Sequence, residues 1–318
     1  MGKRQAYTKI METERAVSSL VEEYLEMKKA EGVTGFTLDI QKGILRRFFE
    51  NVPDCNQDEK QWKREIQLHL ADKKSAYFNK QLDALRQFFE YCKGEGIIEI
   101  NPCEGISYKK ATSRIVDHSE DSIRKLLQAP DKTTFTGLRD YTYLILTLDT
   151  GIRPYEALQL LVNDIHLQEK YIHVREEVAK TRQARFLPMS PPLVQAIRRI
   201  IQVRHPSWDK NGIVLCNHFG ERMDTHSLQE RFRIYSDKIG VKITAYMLRH
   251  CFALNFIRNG GDPFSLQRIM GHTRLDQTKE YVNLASADIA NNHAKATPLN
   301  VFCNKVNSVG KLKNNKKI

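Results

Sequence analysis

The sequence predicts a mainly α-helical chain of two domains: an N-terminal four-helix domain, then a mostly helical domain that carries a small antiparallel β-sheet. Three observations lead there. Apolar residues recur at three- and four-residue spacing through the first hundred positions. A single island around 171–189 alternates in the manner of strands. Between the two regions lies a polar, basic stretch, SYKKATSRIVDHSEDS, without apolar periodicity.

The elements follow in order. Val17, Leu20, Val21, Tyr24 and Leu25 share one helical face, and Ile40, Ile44, Leu45, Phe48 and Phe49 share another that breaks at Asn51-Val52-Pro53. A third helix is expected from Asp58 to Leu70. In the fourth, Leu82, Leu85, Phe89 and Cys92 step along one side until Gly94 and Gly96 close it. These give a first domain over 1–106 and a linker over 107–117. A second domain is expected over 118–303 and a flexible basic tail over 304–318. A helix restarts at Ser119, a residue suited to cap it, with Ile123, Leu126 and Leu127 on one side. Tyr171–Arg175 and Arg185–Met189 form a hairpin whose tip lies near Lys180. Helices then resume at 191–203, 225–239, 244–259, 263–270 and about 275–293.

Length and charge narrow the function. A chain of 318 residues is long enough for two domains, each with its own core. No apolar run approaches the ~18 residues of a membrane span, and MGKRQAYTKI lacks the apolar heart of an export signal. A cytoplasmic, nucleoid-associated protein with no membrane partner is therefore expected. The six cysteines form no CxxC pair, which argues against a disulfide frame or zinc site, and no cofactor or metal is expected. Residues 1–106 carry 17 Lys+Arg against 18 Asp+Glu, whereas 107–318 carry 33 against 20. That basic surplus suits a polyanionic partner, because each neutralised phosphate releases counterions.

The second domain sets out a particular chemistry. TGIRPYEAL places Arg153 and Glu156 on one helix face, and Lys180 follows at the hairpin tip. AYMLRH supplies Tyr246, Arg249 and His250, then MGH supplies His272 and TKEYV supplies Tyr281. Two arginines grip phosphate oxygens bidentately and keep their charge against a pentacoordinate transition state. A tyrosine hydroxyl can attack, although its pKa near 10 requires help in losing the proton. A lysine can protonate the leaving oxygen, and a histidine can bond the phosphate or assist proton transfer. The set suits metal-free attack on a phosphodiester.

T-G-x-R-x-x-E, a hairpin lysine, L-R-H, G-H and T-x-x-x-Y, in this order, resemble the tyrosine recombinases, the phage integrase family that includes the Xer proteins. The resemblance spans nearly the whole chain. YFNKQLDALRQFFEYC is similar to the DNA-facing helix of the family's SAM-like core-binding domain. It implies a site-specific DNA recombinase of Xer-like two-domain architecture, acting in integration or excision. Arg153 and Arg249 would clamp the scissile phosphate, Lys180 would protonate the 5′ oxygen, and His272 would bond a phosphate oxygen. Tyr281 would form a 3′-phosphotyrosine, with Glu156 orienting Arg153 and His250 buttressing the site. The implied partners are double-stranded DNA core sites, bound by a homotetramer that joins two duplexes through a Holliday junction. An accessory directionality factor is a further candidate, and residues 284–303 would dock on a neighbouring protomer.

Tyr246 stands where the family usually has histidine or lysine; it can donate a hydrogen bond to phosphate but carries no charge. Together with the lysine-rich tail, that variation favours a mobile-element integrase over a chromosome-dimer resolver. No arm-binding domain of the lambda-integrase type is expected, since helices begin within the first fifteen or so residues. In the first domain the expected DNA contacts are Lys42, Arg46, Arg47, Asn79, Lys80 and Arg86. Two alternatives stay open at this point. One is a DNA-binding protein of this fold with altered or silenced catalysis; the other is a type IB topoisomerase-like enzyme that relaxes DNA.

Overall fold

The computed structural model describes residues 14–52, 59–110 and 118–285 and the single positions 293, 297 and 299. The chain divides into two compact units, 1–113 and 114–318.

The first unit consists of α1 (Glu14–Ala30), α2 (Gly35–Asn51), α3 (Glu59–Leu70) and α4 (Ser75–Gly94). Helix α4 packs against the other three, which is why its apolar face is the widest of the four. Its core is aromatic: Phe48, Phe49, Trp62, Phe88 and Phe89 meet edge to face, and Tyr24 stands on Phe88 at 89°. Such contacts add about 0.5–1.5 kcal/mol each beyond the area they bury. After α4 the chain folds back along it. Asn79 donates to the Lys109 carbonyl and accepts from its N–H, both at 2.8 Å. Arg86 donates to the Ile106 carbonyl at 2.6 Å and lays its guanidinium over the Tyr108 ring. Residues 107–110 are thus tied to the first unit, while 111–117 lie outside the described residues.

The second unit opens with α5 (Glu120–Gln128), and the Ser119 hydroxyl accepts from the Ser122 N–H as its cap. Next comes α6 (Phe135–Thr150), a helix with no single apolar face in its sequence. It is buried on most sides, because α8 (Pro191–Gln202) and α10 (Ala245–Arg258) both pack on it. A one-turn helix, α7 (Pro154–Ala157), leads through a 3-10 turn to a three-stranded antiparallel sheet. Its strands are β1 (Ile165–His166), β2 (Tyr171–Val174) and β3 (Arg185–Pro188). The β2–β3 pairing sets Ile172 opposite Leu187 and Val174 opposite Arg185, with Ile172, Val174 and Leu187 buried in the core. Lys180 lies in the turn-rich connection between these strands. The remaining helices are α9 (Thr225–Ile239), α11 (Pro263–Met270) and α12 (Asp276–Ala285). Thr134, Asp224, Thr244 and Asp262 cap α6, α9, α10 and α11, each accepting from the amide three residues on.

A large core joins α5, α6, the sheet, α8 and α9, and a smaller one gathers Phe252, Leu254, Leu266, Met270 and Tyr281 from α10, α11 and α12. Of the expected final helix, 276–285 is seen; apart from positions 293, 297 and 299, the rest of the expected docking segment and the tail fall outside the described residues. Among the described residues no helix is long and apolar enough to cross a membrane.

Candidate active site

The site is built around the ends of two helices. Helix α6 stops at Gly151 and α11 at Gly271, both in the left-handed conformation that a side chain disfavours (φ +59° and +62°). A Cβ at Gly151 would strike the Phe252 ring at 2.3 Å, and one at Gly271 would crowd the Arg153 and Arg185 guanidinium groups. These ends expose carbonyl oxygens that the helix itself leaves unpaired, and the helix dipole makes them favourable for cations.

Three arginines take up those carbonyls. Arg153 Nη2 donates to the Gly271 carbonyl at 2.7 Å. Arg249 donates to the carbonyls of Met270 (2.8 Å) and Gly151. Arg185 donates to the Ile269 carbonyl at 2.9 Å. Glu156, 1% exposed, ties two of them together: it pairs with Arg153 at 3.0 Å and with Arg185 at 2.5 Å. Its oxygens also accept the backbone N–H groups of Arg153 and Lys180, so one carboxylate anchors α7 and the β2–β3 connection at once. Burial opposes its ionisation, but Arg185 and then Arg153 outweigh that and hold it below the usual carboxylate range. Arg185 was not among the residues singled out by sequence. Its only signal there was its place at the start of the second hairpin strand.

The nucleophile candidate and two histidines complete the cluster. Tyr281 on α12 is 4% exposed, and its hydroxyl lies 2.5 Å from His250 Nδ1. His272 stacks on Tyr281 at 13° with its centroid 6.4 Å away. Its Nε2 faces Arg249 Nη2 at 3.3 Å and its Nδ1 faces the buried Thr278 hydroxyl at 3.0 Å. Because arginine only donates, Nε2 is the acceptor and Nδ1 carries the proton. Burial, then Arg249 and Arg153, push His272 down to about 4, so its ring is neutral at neutral pH. Burial raises Tyr281 to about 12 against the pull of Arg249. Burial and the Arg153 charge bring Arg249 down to about 9, which leaves it charged at neutral pH.

The structure therefore brings together Arg153, Glu156, Arg249, His250, His272 and Tyr281, and adds Arg185. Lys180 joins through its backbone while its side chain is exposed. Tyr246, at the first turn of α10, is 59% exposed and lines a cleft with Pro154 and Tyr155. In the first unit Lys42 pairs with Glu22 and Arg46 with Glu50, all on exposed surface, and Arg47 and Lys80 are also exposed. Asn79 and Arg86 hold the chain's own 106–109 segment. Among the described residues no group of three or more His, Cys, Asp or Glu could hold a metal ion.

This arrangement joins a surplus of fixed positive charge to a buried phenol, which suits an anionic substrate and nucleophilic attack. Comparison with known proteins points the same way. The phage integrase family model matches residues 118–288. The chain is 30% identical over 241 residues to tyrosine recombinase XerC of Thermodesulfovibrio yellowstonii, covering 72% of this chain and 78% of that one. It is 28% identical over 237 residues to tyrosine recombinase XerD of Lacticaseibacillus casei, covering 72% and 80%. In fold it resembles the Tn1549 transposon integrase in complex with transposon right end DNA (TM-score 0.68, 19% identity, 82% of this chain and 94% of that). It also resembles the XerH recombinase bound to a palindromic difH substrate (TM-score 0.68, 19% identity, 86% and 82%). The chain belongs to the phage integrase family of tyrosine recombinases.

Proposed function

We propose that this protein is a site-specific DNA recombinase that breaks and rejoins double-stranded DNA through Tyr281. The observation that carries the reading is the convergence of Arg153, Arg249, His272 and Tyr281 on the C-terminal end of α11. Arg153 and Arg249 clamp the scissile phosphate, and Glu156 with Arg185 fixes the direction from which Arg153 approaches. Tyr281 attacks phosphorus and forms a 3′-phosphotyrosine. Lys180, reaching in from the β2–β3 connection, protonates the leaving 5′ oxygen. For His272 to donate to a phosphate oxygen, substrate must displace the Arg249 contact at its Nε2 and a proton must sit there. Tyr246 supplies a hydrogen bond to phosphate from its exposed place on α10. The covalent bond retains the energy of the broken phosphodiester, so rejoining needs no nucleotide.

The wider assembly follows the family: a homotetramer on two duplexes, two rounds of strand exchange through a Holliday junction, residues 284–303 docked on a neighbour, and an accessory directionality factor. The lysine-rich tail and the Tyr246 variation favour a mobile-element enzyme located with the nucleoid. Lys42, Arg46, Arg47, Asn79, Lys80 and Arg86 contact DNA, with Asn79 and Arg86 also setting the path of the segment leaving the first domain.

The test uses duplexes selected from a random-sequence pool by binding to the full chain, then nicked near the bound site. Incubation without metal should give a covalent protein–DNA band on a denaturing gel, absent with Tyr281→Phe, and two such duplexes should exchange strands. A band that survives Tyr281→Phe would contradict the assignment. Relaxation of supercoiled DNA without strand exchange would favour the topoisomerase alternative, and tight binding without any band would favour a silent DNA binder.

A further inference from the structure

We infer that His250 is the catalytic base of this site, taking the proton of Tyr281 as the phenol attacks; the inference rests on the recombinase reading above. A buried phenol does not attack phosphorus efficiently while it keeps its proton. Among the described residues, the hydroxyl of Tyr281 has one side-chain hydrogen-bond partner, His250 Nδ1 at 2.5 Å. The other groups of the cluster are committed elsewhere. The lone pair of His272 faces Arg249, and its remaining ring nitrogen is engaged with Thr278. Both Glu156 oxygens are taken by Arg153, Arg185 and two backbone N–H groups. Tyr246, at the position where the family usually has a histidine or lysine, is 59% exposed and carries a phenol rather than a base.

His250 also sits where a base is needed. Helix α10 sets it next to Arg249, so the group that grips phosphate and the group that takes the proton are neighbours on one rigid element. Tyr281 and Glu280 face it from α12, and His272 from the turn after α11. Burial and Arg249 favour its neutral form and Glu280 opposes them, leaving it below the ordinary histidine value and able to accept a proton.

The step balances. Tyr281 Oη bonds to phosphorus and its proton moves to His250 Nδ1, giving an imidazolium. The bond from phosphorus to the 5′ oxygen breaks, and Lys180 supplies that oxygen with its proton. Rejoining reverses both transfers: the 5′ hydroxyl returns its proton to Lys180 and attacks phosphorus, and His250 returns the other to Tyr281.

The experiment measures single-turnover formation of the covalent adduct on the selected, nicked duplexes, and on the same duplexes with sulfur replacing the bridging 5′ oxygen. His250→Gln should slow adduct formation about 100- to 10,000-fold while the protein still binds the duplex. The sulfur, a leaving group that needs no acid, should restore Lys180→Ala but not His250→Gln. Added imidazole should accelerate His250→Ala and leave Tyr281→Phe inactive, a response that a purely structural role would not give. Adduct formation by His250→Gln within about threefold of wild type, rescue of it by sulfur, or indifference of His250→Ala to imidazole would each overturn the inference. Absence of an adduct with wild type would instead sink the recombinase reading, and this inference with it.

Discussion

Two buried charge clusters in the second unit make an instructive pair. In one, Asp140 on α6 receives Arg139 at 2.8 Å, Arg231 at 2.6 Å and the Tyr235 hydroxyl at 2.7 Å, and Arg139 extends to the Cys216 carbonyl. In the other, Glu156 receives Arg153 and Arg185, with Arg249 beside them on the same helix end. Both put one carboxylate among arginines, so a buried ion pair alone does not mark a site. They differ in what surrounds them. The Asp140 cluster ends on ordinary structural acceptors and joins α6 to α9. The Glu156 cluster holds three guanidinium groups to one carboxylate and places two neutral imidazoles and a phenol against them. The first is a clamp, and the second is a pocket of surplus positive charge with a buried phenol in its wall.

Substitutions can break that contrast, and the largest expected effect is on the pocket. Arg249→Ala should lower the rate of adduct formation about a thousandfold, roughly 4 kcal/mol, in a chain that still melts cooperatively. Asp140→Ala should do the reverse. It leaves Arg139 buried without its carboxylate and should cost about 3 kcal/mol of stability in chemical denaturation, while the folded fraction cleaves at the normal rate. Arg185→Lys should slow cleavage about thirtyfold, because an ammonium cannot hold both Glu156 oxygens and the Ile269 carbonyl in the same geometry.

Acid should sharpen the comparison further. His272 lies near 4 in the folded chain against an ordinary 6.5, so as pH falls the unfolded chain takes up its proton first. Its contribution is full above pH 6.5 and is lost between 6.5 and 4. Thermal melts over that range should fall less steeply in His272→Asn: the shift corresponds to about 3 kcal/mol at the acid end, reduced to about 1–2 kcal/mol by solvent screening of this part-buried ring. Tyr246→Phe should have the smallest effect, under about 1 kcal/mol in cleavage, since its side chain stands 59% exposed. A loss as large as that of Arg249→Ala would move Tyr246 into the centre of the chemistry.

How far the sequence revealed this site depended on the kind of signal. Arg153, Arg249, His272 and Tyr281 were legible because each sits in a short motif whose order and spacing carry the family resemblance. Arg185 was not, because its partner Glu156 lies 29 positions away and no local pattern joins them. The contact of His250 with Tyr281 spans 31 positions and is made only when α10 and α12 pack. Helix α6 escaped because burial on most sides erases the amphipathic period, and β1 because two residues are too few to alternate. Asn79 and Arg86 have the composition of a DNA-facing helix, and nothing local to them announces that the returning chain also engages both. Polarity on a helix face does not say which polar partner will claim it.

The central claim is that DNA becomes covalently attached at Tyr281. The most direct measurement is to trap the adduct on a nicked duplex, digest it with trypsin and nuclease, and locate the residual nucleotide by mass spectrometry. The phosphonucleotide should lie on the peptide that begins at Glu280, at Tyr281. A nucleotide on the peptide that ends at Arg249, at Tyr246, would contradict the account.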